Sequence, residues 1–321
     1  GCDVVSRPIC SFFPLTIMLV STQQTLMWGL EYCRIDRPKQ ASMSQQALLK
    51  AFKKHYGSWP LDLAEIWYDM CVTDIAATAL SLEEKTMKGF KMFLLAQHFI
   101  WTYPKNIELL ASRFGLNPVY ASGKHLWGWV AKISAMRAKK IAWPNRLNDP
   151  NAEIYCISVD GKDFKCWEPP HPHLPVDSQM KSEKFNKAAW KYEIALSVWE
   201  SKIVWLNGPH KGSKADITIF RENLKGKIAP GKLASADLGY RTSRPDERGM
   251  ISYPNSMDTE ELKTFKSRIR CRQETFNGRI TAFKILQDTF RHTVSQHKLA
   301  VEAVCVTIQY QMDNGAPLYS V

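Results

Sequence analysis

Paired cysteines are missing from this sequence. Its eight cysteines, Cys2, Cys10, Cys33, Cys71, Cys156, Cys166, Cys271 and Cys305, stand singly, with no C-x-x-C among them. That argues against a zinc ribbon and against a disulfide frame, and isolated thiols of this kind read as buried side chains in a reducing compartment. The histidines supply no substitute. His171 and His173 sit in a proline-rich segment, and His292 and His297 fall off a common helical face, so structural or solvent roles are expected for them. Long apolar runs are missing too. Residues 9–20, ICSFFPLTIMLV, are the one strongly apolar stretch, and they are too short for a bilayer, which takes about 20 residues. They would pass for the core of a signal peptide, but the chain starts at Gly1 without an initiator Met or a basic leader, so an N-terminally incomplete chain is expected. No membrane partner is expected, and internal repeats and low-complexity tracts are absent.

Positive charge, by contrast, is abundant. Lys and Arg number 43 against 31 Asp and Glu, a net charge of +12 with a pI near 9.2. Such a bias favours polyanion partners, nucleic acid first and an anionic surface second. The 321 residues, 45% hydrophobic and 23% charged, suffice for a sizeable core and for two domains or one large domain with an appended module.

Composition shifts along the chain. Residues 1–43 have no clear assignment. Residues 44–146 read as helical: Leu48, Leu49, Phe52 and His55 recur at helical spacing, and 92–99 is a compact apolar run. Within them, Asn106 caps a first helix, Gly115 ends it, and Asn117-Pro118 opens a second. Two short helices about a glycine turn suit a helix-turn-helix that would present Tyr120, Ser122, Lys124, His125 and Lys132 to DNA, with Arg137, Lys139 and Lys140 trailing. An ordinary helical hairpin with Trp127, Trp129 and Val130 in its core is the alternative.

After the turn-rich break at 147–151 the pattern becomes α/β. EIYCISVD alternates as a strand ending at Asp160, stopped by Gly161. KYEIALSVWE and KIVWLNG follow as a hairpin. SKADITIFREN reads as a helix with a capping box from Ser213 and Asp216. KLASAD is a strand ending at Asp237, residues 249–254 suggest a fifth, and 241–248 read as a mobile loop. Leu262, Phe265, Ile269, Phe276, Ile280 and Phe283 then trace one long helix carrying Glu274, and a last helix covers about 295–312.

Glu274 is a lone acid in the basic stretch RIRCRQETFNGRI. It either pairs with Arg270, one turn back, for about 0.2–0.5 kcal/mol, or works with acids elsewhere. Asp160 and Asp237 at strand ends would supply those acids. Asp163 competes with Asp160 but falls beyond Gly161, and a strand-end Asp before Gly is by itself only a turn residue. Three carboxylates in one pocket repel one another unless a cation neutralises them. Mg2+ or Mn2+ suits oxygen ligands, and two such ions about 3.5–4 Å apart stabilise both the attacking and the leaving oxygen in phosphodiester displacement. The order strand-Asp, hairpin, helix, strand-Asp, helix-Glu fits an RNase H-like mixed sheet with flanking helices, behind an N-terminal all-α, helix-turn-helix-like region.

Residues 151–321 resemble a DDE transposase of the Harbinger type, a DDE superfamily endonuclease. The resemblance rests on VDGKDF, KYEIALSVWESKIVWLNGPHKGSKADITIF, ASADLGYR and RQETFNGRITAF followed by LQDTFRH. The family's V-D-G, D-x-G-Y and E-x-x-N-x-R-like motifs match Asp160, Asp237 and Glu274. Leu238 stands where such proteins often carry Gly or Lys. Asp216 matches a recurrent family Asp, for which capping is favoured over metal binding. The resemblance implies metal-dependent DNA cleavage and joining of transposon ends to target DNA, with Asp160, Asp237 and Glu274 holding two divalent ions. It further implies a homo-oligomer on double-stranded DNA, a Myb-like accessory protein and a nuclear location. Phosphate contacts are expected from Lys124, Lys132, Arg268, Arg270, Arg272 and Arg279, while Lys211 and Lys214 either touch phosphate or belong to a solvated loop. A host-adapted DNA-binding protein without cleavage, and an RNase H-like nuclease without strand transfer, are the alternatives.

Overall fold

The computed structural model describes residues 18–73, 80–121, 123–167 and 177–321. Most of the apolar run at 9–20, together with Ser122, His171 and His173, lies outside them, as does the side chain of Lys124. In chain order the elements are α1 (Thr22–Tyr32), α2 (Arg37–Ala41), α3 (Gln45–Tyr56), α4 (Pro60–Val72), α5 (Met87–Thr102), α6 (Ile107–Arg113), α7 (Pro118–Ala121), α8 (Lys124–Ala135) and α9 (Arg137–Lys140). The α/β part follows as β1 (Tyr155–Lys165), β2 (Lys181–Ser182), β3 (Lys187–Ser197), β4 (Ile203–Lys211), α10 (Asp216–Ile219), β5 (Leu233–Ser235), α11 (Pro245–Arg248), β6 (Ile251–Ser252), α12 (Glu260–Ala282), α13 (Lys284–Gln287) and α14 (Val294–Asp313). No helix among the described residues is long and apolar enough to cross a membrane.

The chain is α/β with a six-stranded mixed sheet. β1 and β3 pair antiparallel with Asp160 opposite Ile194, β3 and β4 form the expected antiparallel hairpin, and β2 adds to the first residues of β3. β5 lies parallel to β1, and β6 parallel to β5. The spatial order is therefore β4-β3-β1-β5-β6, an antiparallel meander extended by two parallel strands.

Capping explains where the long helices start. Ser44 and Thr259 accept main-chain N–H bonds at the starts of α3 and α12, and Thr293 with Gln296 forms a capping box on α14. Gly57, at φ 71°, closes α3 in the left-handed conformation that glycine adopts without steric cost. Asn106 caps α6 through the Leu109 N–H, but the second helix expected after Gly115 is split into α7 and α8. The buried face of α8, with Leu126, Trp127, Trp129, Val130 and Ile133, packs on α5 and α14 as core.

The helical region and the sheet share that core. One apolar cluster runs from Leu26 and Phe52 through Phe93 and Trp127 to Phe164, Tyr192, Phe276 and Val304. Polar contacts cross the same boundary: Arg137 of α9 donates to Glu302 of α14 and to the Leu206 carbonyl of β4, both at 2.6 Å. His297 is buried, with Nδ1 2.9 Å from the Tyr192 hydroxyl, a structural place. A second cluster covers the other sheet face with Ile157, Val159, Ala195, Val204, Phe220 and Tyr240.

Three local expectations change. β1 does not stop at Gly161 but runs to Lys165, so Asp160 lies within a strand. Ser213 and Asp216 form no capping box: Ala215 is the N-cap, without a side-chain bond, and the four-residue α10 passes into a π-helical turn at Phe220–Leu224. Residues 241–248 are not a free loop. Glu247 of α11 is buried, takes two bonds from Arg221 at 2.8 and 2.9 Å, and is joined by Thr242 and Lys225. The Arg221 bonds, with Thr242 and Lys225, hold its carboxyl well below its usual value of 4.5, at about 2, against the opposing effect of burial. A depressed carboxyl stabilises the fold above its unfolded pKa, and that contribution is lost as the pH falls through the folded one. Acid denaturation should therefore narrow the stability gap between wild type and Glu247→Gln from pH 4.5 down to 2, read as urea midpoints at each pH.

Candidate active site

Asp160 lies on the face of β1 that meets α12. Two amides of that helix, one turn apart, clasp the strand there: Gln273 accepts from the Ser158 hydroxyl at 2.6 Å, and Asn277 Nδ2 donates to Asp160 Oδ2 at 2.6 Å. Asp237 follows β5 and accepts from the Gly239 N–H at 2.9 Å, capping the 3-10 turn at Leu238–Tyr240. The sheet thus sets two acids on neighbouring parallel strands, one within β1 and one just past β5. α12 carries the third, Glu274.

All three line one cleft of about 410 Å³. Glu274 is exposed at its rim and pairs with Arg270 Nε at 3.0 Å, one helical turn back. Among the described residues, one group of three His, Cys, Asp or Glu side chains has ligand atoms all within 4.8 Å of one another, and it lies in the helical region. Asp160, Asp237 and Glu274 share the cleft without closing to that distance.

The electrostatics are those of crowded acids. Burial pushes the Asp160 carboxyl up to about 6; the Asn277 bond opposes this, and Asp237 and Asp216 add to it. Asp216 sits on the far side of the motif glycines. A Cβ on Gly161 would stand 2.2 Å from its Oδ1, and one on Gly239 3.0 Å from its Oδ2. A side chain at Gly161 would have to displace this carboxylate, whereas at Gly239, where a Cβ would also stand 3.0 Å from Asp237 Oδ1, the contact is tight. The Asp216 pKa is raised by burial, opposed by Lys191 at 3.0 Å and reinforced by Asp237. Glu193 is likewise buried and pushed up to about 7 by burial, with Asp216 adding to the rise and the Trp205 bond opposing it.

These donors fit a hard cation. Asn277, which lines the cleft, has a buried Oδ1 without a hydrogen-bond partner, and Asp237 and Asp216 add to the rise that burial gives the Asp160 carboxyl. An oxygen-only donor set of this kind suits Mg2+ or Mn2+.

The cations named for phosphate contact are mostly engaged. Arg272 is a correction: it is buried, and its guanidinium donates to the Ser197, Val198 and Glu200 carbonyls at the β3–β4 turn, so it faces no phosphate. Arg268 donates to the Ser320 carbonyl, and Arg279 to those of Ala316 and Pro317. Lys132 pairs with Glu84, Lys211 with Asp177 and Lys214 with Glu222. Two lysines not singled out by sequence, Lys162 and Lys184, line the cleft and make no ion pair within 4.0 Å among the described residues. Lys162 stands in VDGK two positions after Asp160, a signal visible in the motif. Asn277 stands in the quoted E-x-x-N-x-R pattern, whereas Gln273, Lys184, Lys191 and Glu193 carry no spacing signal.

No protein-family model, no curated protein and no solved structure matches this chain.

Proposed function

We propose that the sheet is an RNase H-like nuclease core and that the protein is a metal-dependent DDE-type endonuclease that cuts DNA and joins the ends to a target, as in Harbinger-type transposases. The observation that carries this reading is the shared cleft: Asp160 in β1, Asp237 after the neighbouring parallel strand and Glu274 of α12 all line it. Asp160, Asp237 and Glu274 would hold Mg2+ or Mn2+, which supplies positive charge to the phosphodiester undergoing displacement. Asn277 fixes the Asp160 carboxylate, and Arg270 holds Glu274 at the rim until a cation competes for it. Lys162 and Lys184 bring the DNA backbone to the acids, and the +12 charge raises the local concentration of polyanion. A homo-oligomer on transposon ends, a Myb-like accessory protein and a nuclear location belong to the same proposal.

The test is purified protein with Mg2+ and duplex DNA carrying the element's ends. Nicking and joining support it; nicking without joining would point to a plain nuclease, and salt-sensitive binding without nicking to a DNA-binding derivative. Phosphate contacts have their own signature, since each one lost lowers the slope of log affinity against log salt by about 0.9. Lys162→Met and Lys184→Met are expected to do so singly in a fluorescence-anisotropy salt series, whereas Lys214→Met, whose lysine is held by Glu222 at 2.5 Å, leaves the slope unchanged.

A further inference from the structure

Three side chains far apart in sequence meet between helices of the N-terminal region. Cys33 caps the C-terminus of α1, His55 lies in the last turn of α3, and His98 lies in α5. Their ligand atoms all lie within 4.8 Å of one another. The two imidazoles stack with centroids 5.9 Å apart and planes 20° apart. Nδ1 of His98 is buried and makes no hydrogen bond, an unsatisfied lone pair or N–H that normally costs about 1–3 kcal/mol. Cys33 Sγ has only a long contact, 3.6 Å, to the Tyr56 hydroxyl, which itself donates to the Gly29 carbonyl at 2.9 Å.

We propose that Cys33, His55 and His98 form a binding site for a borderline-soft divalent transition metal, Zn2+ above all, that ties α1, α3 and α5 together. The donor set decides the class: one thiolate and two imidazoles suit zinc and not the oxygen-seeking Mg2+ or Mn2+ of the cleft. Zinc distances of about 2.0–2.3 Å imply ligand–ligand edges of roughly 3.3–3.8 Å in a tetrahedron. Donors already within 4.8 Å therefore need to close by only about an ångström. Three protein ligands leave the fourth position to a water. The surroundings favour the ligating forms of the histidines: burial lowers the pKa of both, that of His98 to about 4, so the imidazoles are neutral. Arg113 faces Cys33 and His98 from the end of α6 and favours thiolate and neutral imidazole, whereas burial holds the Cys33 thiol up at about 11, so binding releases a proton into solvent. Such a clamp stiffens α1, α3 and α5, and α5 packs on α8, the helix that carries α14 and through it the sheet.

Co2+ is the probe, because a thiolate ligand gives a charge-transfer absorption that oxygen ligands do not. The full chain titrated with Co2+ should develop that band to one equivalent, and one equivalent of Zn2+ should bleach it. Cys33→Ser should remove the band, and His55→Gln, at a half-buried position, should weaken Co2+ binding by at least about tenfold. Zn2+ should raise the Tm of the wild type but not of Cys33→Ser. Asp237→Asn should leave the band intact, which separates this site from the acidic cleft. A folded wild type that gives no thiolate band would overturn the proposal. So would a band that survives in Cys33→Ser, which would place the thiolate at another cysteine such as the exposed Cys271.

Discussion

Asp160→Ala is expected to lower Mg2+-dependent nicking by about 10³-fold or more, with duplex binding in Ca2+ within a few-fold of wild type. Under the proposed nuclease reading, the magnitude follows from what a metal-holding carboxylate would supply. Charge stabilisation by a bound divalent ion is worth several kcal/mol in the transition state, and each 1.36 kcal/mol is a factor of ten in rate. Asp160 is the best placed of the three acids, within a central strand, clasped by Asn277 and crowded by Asp237 and Asp216. Asp237→Ala and Glu274→Ala should fall in the same range, and double variants should lose little more than the singles, because ligands of one site act as a unit. Asn277→Ala, which leaves the carboxylate in place but unclasped, is expected to cost about 10–100-fold. Nicking unchanged in Asp160→Ala would remove the three-acid cleft from the mechanism altogether. Nicking lost in Asp160→Ala but intact in Glu274→Ala would leave Glu274 as no more than the partner of Arg270.

The pattern of apolar residues located most elements of the α/β half because their spacing reports which face is buried. The stripe from Leu262 to Ile280 became α12, and the KYEIALSVWE and KIVWLNG segments became β3 and β4 in the register of a hairpin. Errors arose where a residue answers to something distant. Gly161 reads locally as a strand stop, but it lacks a side chain because the Asp216 carboxylate, arriving from α10, occupies the space of its Cβ. Asp216 for the same reason is not a cap: it turns inward to Lys191. The arginines of 268–279 resemble a phosphate-binding stripe, yet Arg268 and Arg279 engage carbonyls of the C-terminal segment and Arg272 those of the β3–β4 turn. No periodicity reveals that residues 316–320 lie along α12. Cys33, His55 and His98 belong to three helices, so their meeting has no spacing signature.

Arg272 gives the second large effect, and it separates charge available to the proposed DNA partner from charge used to build the fold. Its guanidinium is buried and serves three main-chain carbonyls, those of Ser197, Val198 and Glu200, where β3 turns toward β4. Hydrogen bonds from a charged donor contribute about 1.5–3 kcal/mol each, and truncating one side of a buried ionic or charge-assisted contact costs about 3–5 kcal/mol. Arg272→Met keeps the aliphatic stem and removes the donors, so a loss of about 3–5 kcal/mol is expected, read as a lowered urea midpoint with the m-value unchanged. Arg272→Lys should recover only part of it, because an ammonium lacks the planar fork that reaches several carbonyls at once. The DNA salt slope should stay at its wild-type value in both variants under conditions where they are folded. A phosphate contact predicts the reverse, a slope reduced by about 0.9 and an unchanged midpoint. That outcome would return Arg272 to the DNA surface and require the end of β3 to be held by something else.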